Sequence, residues 1–397
     1  MNERIYMDNC VTSAMAPEVL EAMKPYFGEQ FWYPGSFVST GEASNAAFEG
    51  FRKVIAEALH AEPREITFTS GGTIANNIAL KGLALAHSGE GRHIICSTVD
   101  YPDLLTHAAY FEKMGFEVTY LEPDELGFVS AHKLKDAIRA DTILFMSTMV
   151  NHVVGTIQPI GEYSRVLAEA DHKVWFHVDA GQAFGKLHLD VKALGVDTLS
   201  ISAHKIHGPQ GIGALYVKKG SRLGPYLHGI QRFEGMQPGG LSLASMAGFA
   251  KAVEMVYQDL DGSIKQLREL SDYLLEQLES QIEYVELNGP RGEGRACHNI
   301  NVSLDFIEGE AITVMLDMHK ITVATGSACA SQGLKPSYVL LAMGKNQVQS
   351  HGSMKFTLSR YNTKEQIDFT VAKLKEIAAI LRERSPLYNA IKKKQEK

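Results

Sequence analysis

An amine that could capture an aldehyde, a carboxylate that ends a buried strand and a glycine-rich turn that could cradle a phosphate stand in three short stretches of this chain. The densest is Ser202-Ala203-His204-Lys205-Ile206-His207-Gly208-Pro209-Gln210-Gly211-Ile212-Gly213. A lysine in that setting can form a Schiff base with an aldehyde cofactor, while Ser202 and His204 can donate hydrogen bonds to a phosphate. The same stretch also reads as a surface lysine in a turn. Upstream lies His177-Val178-Asp179-Ala180-Gly181-Gln182. A carboxylate ending a buried strand is costly without a partner. A pyridinium nitrogen is one such partner, which would leave Gln182 within reach of a ring hydroxyl; a helix cap is the other reading. Thr69-Ser70-Gly71-Gly72-Thr73 supplies the third element. Its backbone N–H groups around Gly72, with the Thr73 hydroxyl, suit a phosphate at a helix N-terminus. It lacks the lysine and spacing of a P-loop, which excludes a nucleotide triphosphatase of that type.

Two further residues carry chemistry of their own. Cys329 sits in Ala324-Thr325-Gly326-Ser327-Ala328-Cys329-Ala330-Ser331-Gln332-Gly333, a run with almost no large side chains. Such a run cannot pack a core and reads as a mobile arm, so its thiol is a candidate nucleophile. Arg360 closes Lys355-Phe356-Thr357-Leu358-Ser359-Arg360, and a guanidinium can grip a carboxylate with two parallel hydrogen bonds. Cys96 and Cys297 adjoin strand-like runs and read as structural; Cys10, in Asp8-Asn9-Cys10-Val11-Thr12-Ser13, is a candidate second thiol.

Positioning these groups calls for an α/β scaffold. Apolar, β-branched runs at Ile66–Thr69, His93–Ser97, Ile143–Ser147, Val174–Val178, Thr198–Ser202 and Ala214–Val217 alternate with helical stretches at Ala46–Leu59, Thr73–Ala86 and Ile160–Ala170. That rhythm predicts a mostly parallel sheet covered on both faces, with functional residues beyond the carboxyl ends of its strands. After about residue 255 the pattern becomes α+β. It holds an amphipathic helix at Ile264–Leu278, strands at Ile300–Leu304 and Lys355–Leu358, and a closing helix announced by Thr363 and Gln366. We expect a large domain over 16–254 and a smaller one from 1–15 with 255–397, which carries the Cys329 arm.

With 397 residues, 45% hydrophobic and 21% charged, the chain is an ordinary globular protein, and a formal charge of −7 does not suggest a nucleic-acid surface. No apolar run approaches the ~20 residues of a membrane span. Neither a signal-like apolar core nor a paired-cysteine framework is visible, which fits a cytoplasmic protein, and no acidic ligand beside His204 and His207 suggests a metal.

Taken together, these stretches resemble the cysteine desulfurases of the class V aminotransferase group, with the pyridoxal-phosphate (PLP) fold type I, from about Ile5 to Tyr388. The resemblance implies that Lys205 carries pyridoxal 5'-phosphate and that Asp179 pairs with its ring nitrogen. It implies that Gln182 meets the ring hydroxyl, and that Thr73, Ser202 and His204 bind the phosphate. Arg360 would bind the substrate carboxylate, with the Asn9 segment near the substrate, and Cys329 would receive sulfur as a persulfide. It implies a homodimer converting L-cysteine to L-alanine, with sulfur destined for iron–sulfur clusters or thio-cofactors and a sulfur-acceptor protein as a candidate partner. Several positions depart from the family. Asp100-Tyr101-Pro102 puts Tyr101 where a histidine stacks on the cofactor, and Asn151-His152-Val153 puts His152 where an asparagine approaches it. Gln237-Pro238-Gly239-Gly240 lacks a threonine expected to reach the partner's phosphate, and Tyr33-Pro34 replaces an Asn-Pro segment. These changes keep open a selenocysteine lyase or another PLP β-lyase, and a low-turnover sulfur carrier.

Overall fold

The computed structural model describes residues 4–34, 36–229, 239, 242–326 and 335–395. The chain enters as a two-residue strand, β1 (Ile5–Tyr6), and then builds one large sheet from β2 (Ile66–Thr69), β3 (His93–Ser97), β4 (Glu117–Leu121), β5 (Thr142–Thr148), β6 (Trp175–Asp179), β7 (Thr198–Ser202) and β8 (Gly213–Val217). Their spatial order is β2-β8-β7-β6-β5-β3-β4. From β7 to β4 the pairs are parallel, whereas β8 runs antiparallel to both its neighbours. Central strands such as β5 and β7 are buried throughout, which is why they read as unbroken apolar or β-branched runs. Edge strand β4 is half exposed, and its Glu117 and Thr119 hid it from a search for apolar runs. β6 starts and ends one residue later than the sequence suggested, so the strand runs through Asp179, which pairs with Ser200 of β7.

A second sheet, in the order β12-β13-β10-β9, follows from β9 (Val285–Leu287), β10 (Asn299–Leu304), β12 (Ala324–Thr325) and β13 (Ser353–Thr357), while β11 (Ile321–Thr322) pairs in parallel with β1. The helix Leu260–Gln281 buries Leu267, Leu270, Leu274 and Leu278, spaced at helical intervals, against this sheet and the helix Lys364–Glu383. Each leucine so removed from water contributes roughly 1.5–3 kcal/mol. Thr363 caps the closing helix as its sequence announced: its hydroxyl accepts from the Gln366 N–H, and the Gln366 side chain accepts from the Thr363 N–H.

Four hydrophobic clusters result, three of them around the large sheet and one around the smaller. Packing is not divided cleanly by sequence, since Val339, Leu340 and Met343 join the first cluster. Among the described residues no helix is long and apolar enough to cross a membrane, and no group of three or more His, Cys, Asp or Glu is placed to hold a metal ion.

Candidate active site

Strand direction assembles the site. β2, β3, β5, β6 and β7 all point their carboxyl ends to one side, and at or just beyond those ends stand Gly72 and Thr73, Tyr101, His152, Asp179 and His204–Lys205 respectively. Because β8 is antiparallel, the turn before it brings Gln210–Ile212 to the same side. The cleft there has a volume of about 460 Å³. Gly72, Thr73, Tyr101, Asp179, Ser202, His204 and Lys205 line it together, as do Asp103 and Gln210.

The turn after β2 is built for a close approach. Gly71 has φ +148°, in a region that side-chain-bearing residues rarely adopt. The Thr69 hydroxyl donates to the Gly71 carbonyl at 3.0 Å and fixes that turn. A Cβ on Gly72 would stand 2.7 Å from Ser202 Oγ, so glycine there lets β7 and the helix Gly72–Ala86 meet. The helix N-terminus opens into the cleft between Ser202 and Thr73, and the Thr73 hydroxyl donates to Asp103 at 2.6 Å.

Asp179 is held by a buried network. Its carboxylate accepts from the Gly181 N–H and from Asn76 Nδ2, both at 2.9 Å. Asn76 Oδ1 in turn accepts from Ser200 Oγ and lies 3.0 Å from His177 Nε2, while His177 Nδ1 is 2.9 Å from the Thr198 hydroxyl. Burial holds His177 down to about 3, so the ring is neutral and has one N–H. A carboxylate only accepts, so the asparagine amine must face Asp179, its oxygen faces His177 Nε2–H, and Thr198 donates to Nδ1. Every bond in the chain therefore has a defined direction. Burial pushes the Asp179 carboxyl above its usual range, while Lys205, Asn76 and Gly181 pull it back. Asn76 escaped the sequence reading because it sits inside a helix with no motif around it; only the tertiary contact marks it.

Lys205 ends a tight turn after β7, with its ammonium 5.2 Å from the centroid of the Tyr101 ring. Burial, followed by Lys205 and Lys186, lowers His204 to about 4, so its imidazole is neutral at ordinary pH. Tyr101 is anchored through its N–H to the Thr148 hydroxyl at 2.7 Å. Beside it, the Asp100 carboxylate accepts from the Ser97 and Thr148 N–H groups, and burial raises it to about 7.

Other expected residues lie around the cleft and do not line it. His152 stands edge-on to Tyr101 with ring centroids 5.0 Å apart. It is fully buried, neither ring nitrogen has a hydrogen-bond partner, and burial carries its pKa well below the usual imidazole range. Gln182 donates to the Cys10 carbonyl at 2.9 Å and leaves Oε1 buried without a partner. Asn9 and Arg360 line a separate, smaller cavity that shares Lys205 with the main cleft. Asn9 donates to the Thr357 carbonyl, and the Arg360 Nη2 is buried without a hydrogen bond. Cys10, Cys96 and Cys297 are all buried. Cys329, and the Gln237-Pro238 and Gly240 positions of the departing segment, lie outside the described residues.

The aminotransferase class-V family matches residues 5–369. A cysteine desulfurase IscS of Dictyoglomus turgidum is 44% identical, over 97% of each chain. One from Methanosarcina thermophila is 42% identical, over 97% of this chain and 95% of that one. Among solved structures, a NifS-like protein superposes with a TM-score of 0.89 at 31% identity, covering 95% of this chain and all of that one. SspA in complex with cysteine does so with a TM-score of 0.79 at 32% identity, covering 90% and 100%.

Proposed function

The chain belongs to the aminotransferase class-V family, among its pyridoxal-phosphate-dependent cysteine desulfurases, and from that premise we propose a role for each residue of the cleft. The observation that carries the assignment is the buried Asp179 facing the same cleft as Lys205, with the glycine turn and Ser202 beside them.

The residues present fit pyridoxal phosphate. A buried carboxylate whose protonated form burial favours needs a cationic neighbour, and a protonated ring nitrogen meets that need. Gln182 Oε1, buried and unpartnered, suits a ring hydroxyl. Gly72, Thr73, Ser202 and the neutral His204 hold the phosphate; the helix N-terminus adds its partial positive charge. When bound, the cofactor supplies an aldehyde that captures amines and a ring that withdraws electrons from the substrate α-carbon.

The remaining work falls to the protein. Tyr101 would cover one face of the ring, with the neutral His152 packed edge-on against the tyrosine. Arg360 binds the substrate carboxylate and Asn9 shapes the wall beside it. Lys205, released by the incoming amine, takes up the α-proton at Nζ. The Cys329 thiolate then attacks the substrate sulfur. The carbon–sulfur bond breaks with its electron pair going to the carbon fragment, which leaves as L-alanine after protonation, and the sulfur remains on Cys329 as a persulfide for iron–sulfur or thio-cofactor synthesis. A sulfur-acceptor protein completes the transfer. The working unit is a homodimer. Phe27, Phe31, Trp32 and the fully exposed Phe37 support it, forming an apolar stretch of chain that a second copy would cover.

Holoenzyme incubated with L-cysteine should yield alanine, and mass spectrometry should find one added sulfur atom on Cys329. Cys329→Ala should keep the cofactor colour and lose the persulfide. Sustained sulfur release by that variant would remove Cys329 from the mechanism. Alanine formed faster from selenocysteine, with no persulfide at any time, would favour a lyase.

A further inference from the structure

The cavity that Arg360 lines holds a second cation, which no acid balances among the described residues. Lys186, seven residues beyond Asp179, is 5% exposed, and its ammonium donates to the Lys205 backbone carbonyl at 3.1 Å. Among the described residues no ion pair holds it. Taking an unpaired ammonium out of water costs several kcal/mol, a cost that a nearby anion offsets and that otherwise lowers the amine's pKa. The cavity that Lys186 lines, with room of about 30 Å³, is shared with Asn9, Lys205, His207 and Arg360. No carboxylate is among its lining residues, and Arg360 Nη2 is buried beside it with no partner. Lys186 and Arg360 thus border, beside Lys205, a space the size of a small anionic group.

We propose that Lys186 is a second cationic determinant of the substrate site, a positioning residue whose charge in the cavity it shares with Arg360 makes the cleft select amino acids with a free α-carboxylate. This rests on Arg360 being the carboxylate anchor. Lys186 acts at one remove: its Nζ is engaged by the Lys205 carbonyl, so it contributes potential and holds the backbone of residue 205, while Arg360 makes the directional bonds. The imidazoles facing it are neutral in the working range. His204, His207 and His298 are all pushed below the usual imidazole range, chiefly by burial, and Lys186 contributes to each shift. Cys297 and Cys10 are the remaining neighbours, with Lys205 itself. Burial, opposed by Cys297 and assisted by Lys205, brings Lys186 down to about 8, so its charge fades just above neutral pH.

The test compares two aminothiols that differ only in the carboxylate, L-cysteine and cysteamine, by the absorbance change each causes in holoenzyme. Lys186→Met should weaken L-cysteine binding by about tenfold or more, a loss of at least about 1.4 kcal/mol, and leave cysteamine unchanged. Equal weakening of both would mean a purely structural tether and would overturn the proposal, as would no weakening of either. Propionate serves as a second probe, because it has no group titrating near pH 8. Its inhibition constant should rise as pH passes 8 in the native enzyme and stay level in Lys186→Arg, whose charge persists. This arm decides the matter if the methionine variant fails to fold, and a level native profile sinks the proposal. Arg360→Gln separates the two readings. If it leaves the preference for cysteine over cysteamine intact, the anchor itself is wrong; if it abolishes that preference while Lys186→Met does not, only Lys186 is excluded.

Discussion

Replacing Asn76 with alanine tests whether the buried network, and not Asp179 alone, sets the polarity of the cofactor cleft. Asn76 is fully buried and contributes three interactions: one donated to Asp179, one accepted from Ser200 and one from His177. A hydrogen bond to an ionised group contributes about 1.5–3 kcal/mol. Its loss removes that much support from the Asp179 carboxylate, and with it the ion pair to the ring nitrogen. The expected result is a cofactor affinity lower by roughly 10–100-fold. The apo-protein should also lose stability. The His177 Nε2–H is left buried without an acceptor, at about 1–3 kcal/mol, although Ser200 can turn its hydroxyl elsewhere. Removing a donor from the charged form pushes the Asp179 carboxyl further upward, so the affinity loss should be larger at low pH than at high pH. Asn76→Asp should bind worse than Asn76→Ala, because an ionised carboxylate cannot donate and repels its neighbour. The assay is titration of apo-protein with pyridoxal phosphate, followed by visible absorbance across pH, beside thermal unfolding of the apo form. Affinity of Asn76→Ala within twofold of the parent, with an unchanged pH profile, would refute the reasoning, since the network would then be packing only.

Three further outcomes follow from the same geometry. Gly71→Ala forces a side chain into φ +148°, so it should destabilise the turn by about 1–3 kcal/mol and lower both Tm and phosphate affinity; unaltered melting would contradict the strain argument. Gly72→Ala places a methyl 2.7 Å from Ser202 Oγ, so Ser202 must turn away, and pyridoxal phosphate should lose affinity by about tenfold while pyridoxal without phosphate does not. The third concerns acid. The buried His152 has a folded pKa well below the usual value, so the unfolded chain binds its proton more readily. Stability from this group is complete above an unfolded pKa of about 6.5 and is lost as pH falls below it. His152→Phe should therefore withstand acid better than the parent between about pH 6 and 4, measured by denaturant midpoint, with no gain at pH 8.

How much of this was legible in the chain depends on how local the cause was. The large-sheet strands were readable because central parallel strands are buried on both faces and must be apolar throughout, and β4 was missed because an edge escapes that demand. The Thr363 cap was readable because a capping box is contained in four residues. Lys205, Asp179 and the Gly71–Thr73 turn stood out because each ends or follows a strand that announces itself. Distance in sequence hid the rest. Asn76 and Asp179 are 103 positions apart, and no pattern in a helix interior marks an asparagine as the partner of a strand-end carboxylate. His152 stood where the resemblance put a cofactor neighbour, yet its ring packs edge-on against Tyr101 and is not among the residues that line the cleft. Lys186 looked like any lysine after a turn. Residue types and their order along the chain determined the kind of chemistry and the sheet that presents it. Which side chains are dried out, paired or left facing a charge was decided only when the strands converged, because burial and electrostatic potential are properties of the assembled volume and not of any segment.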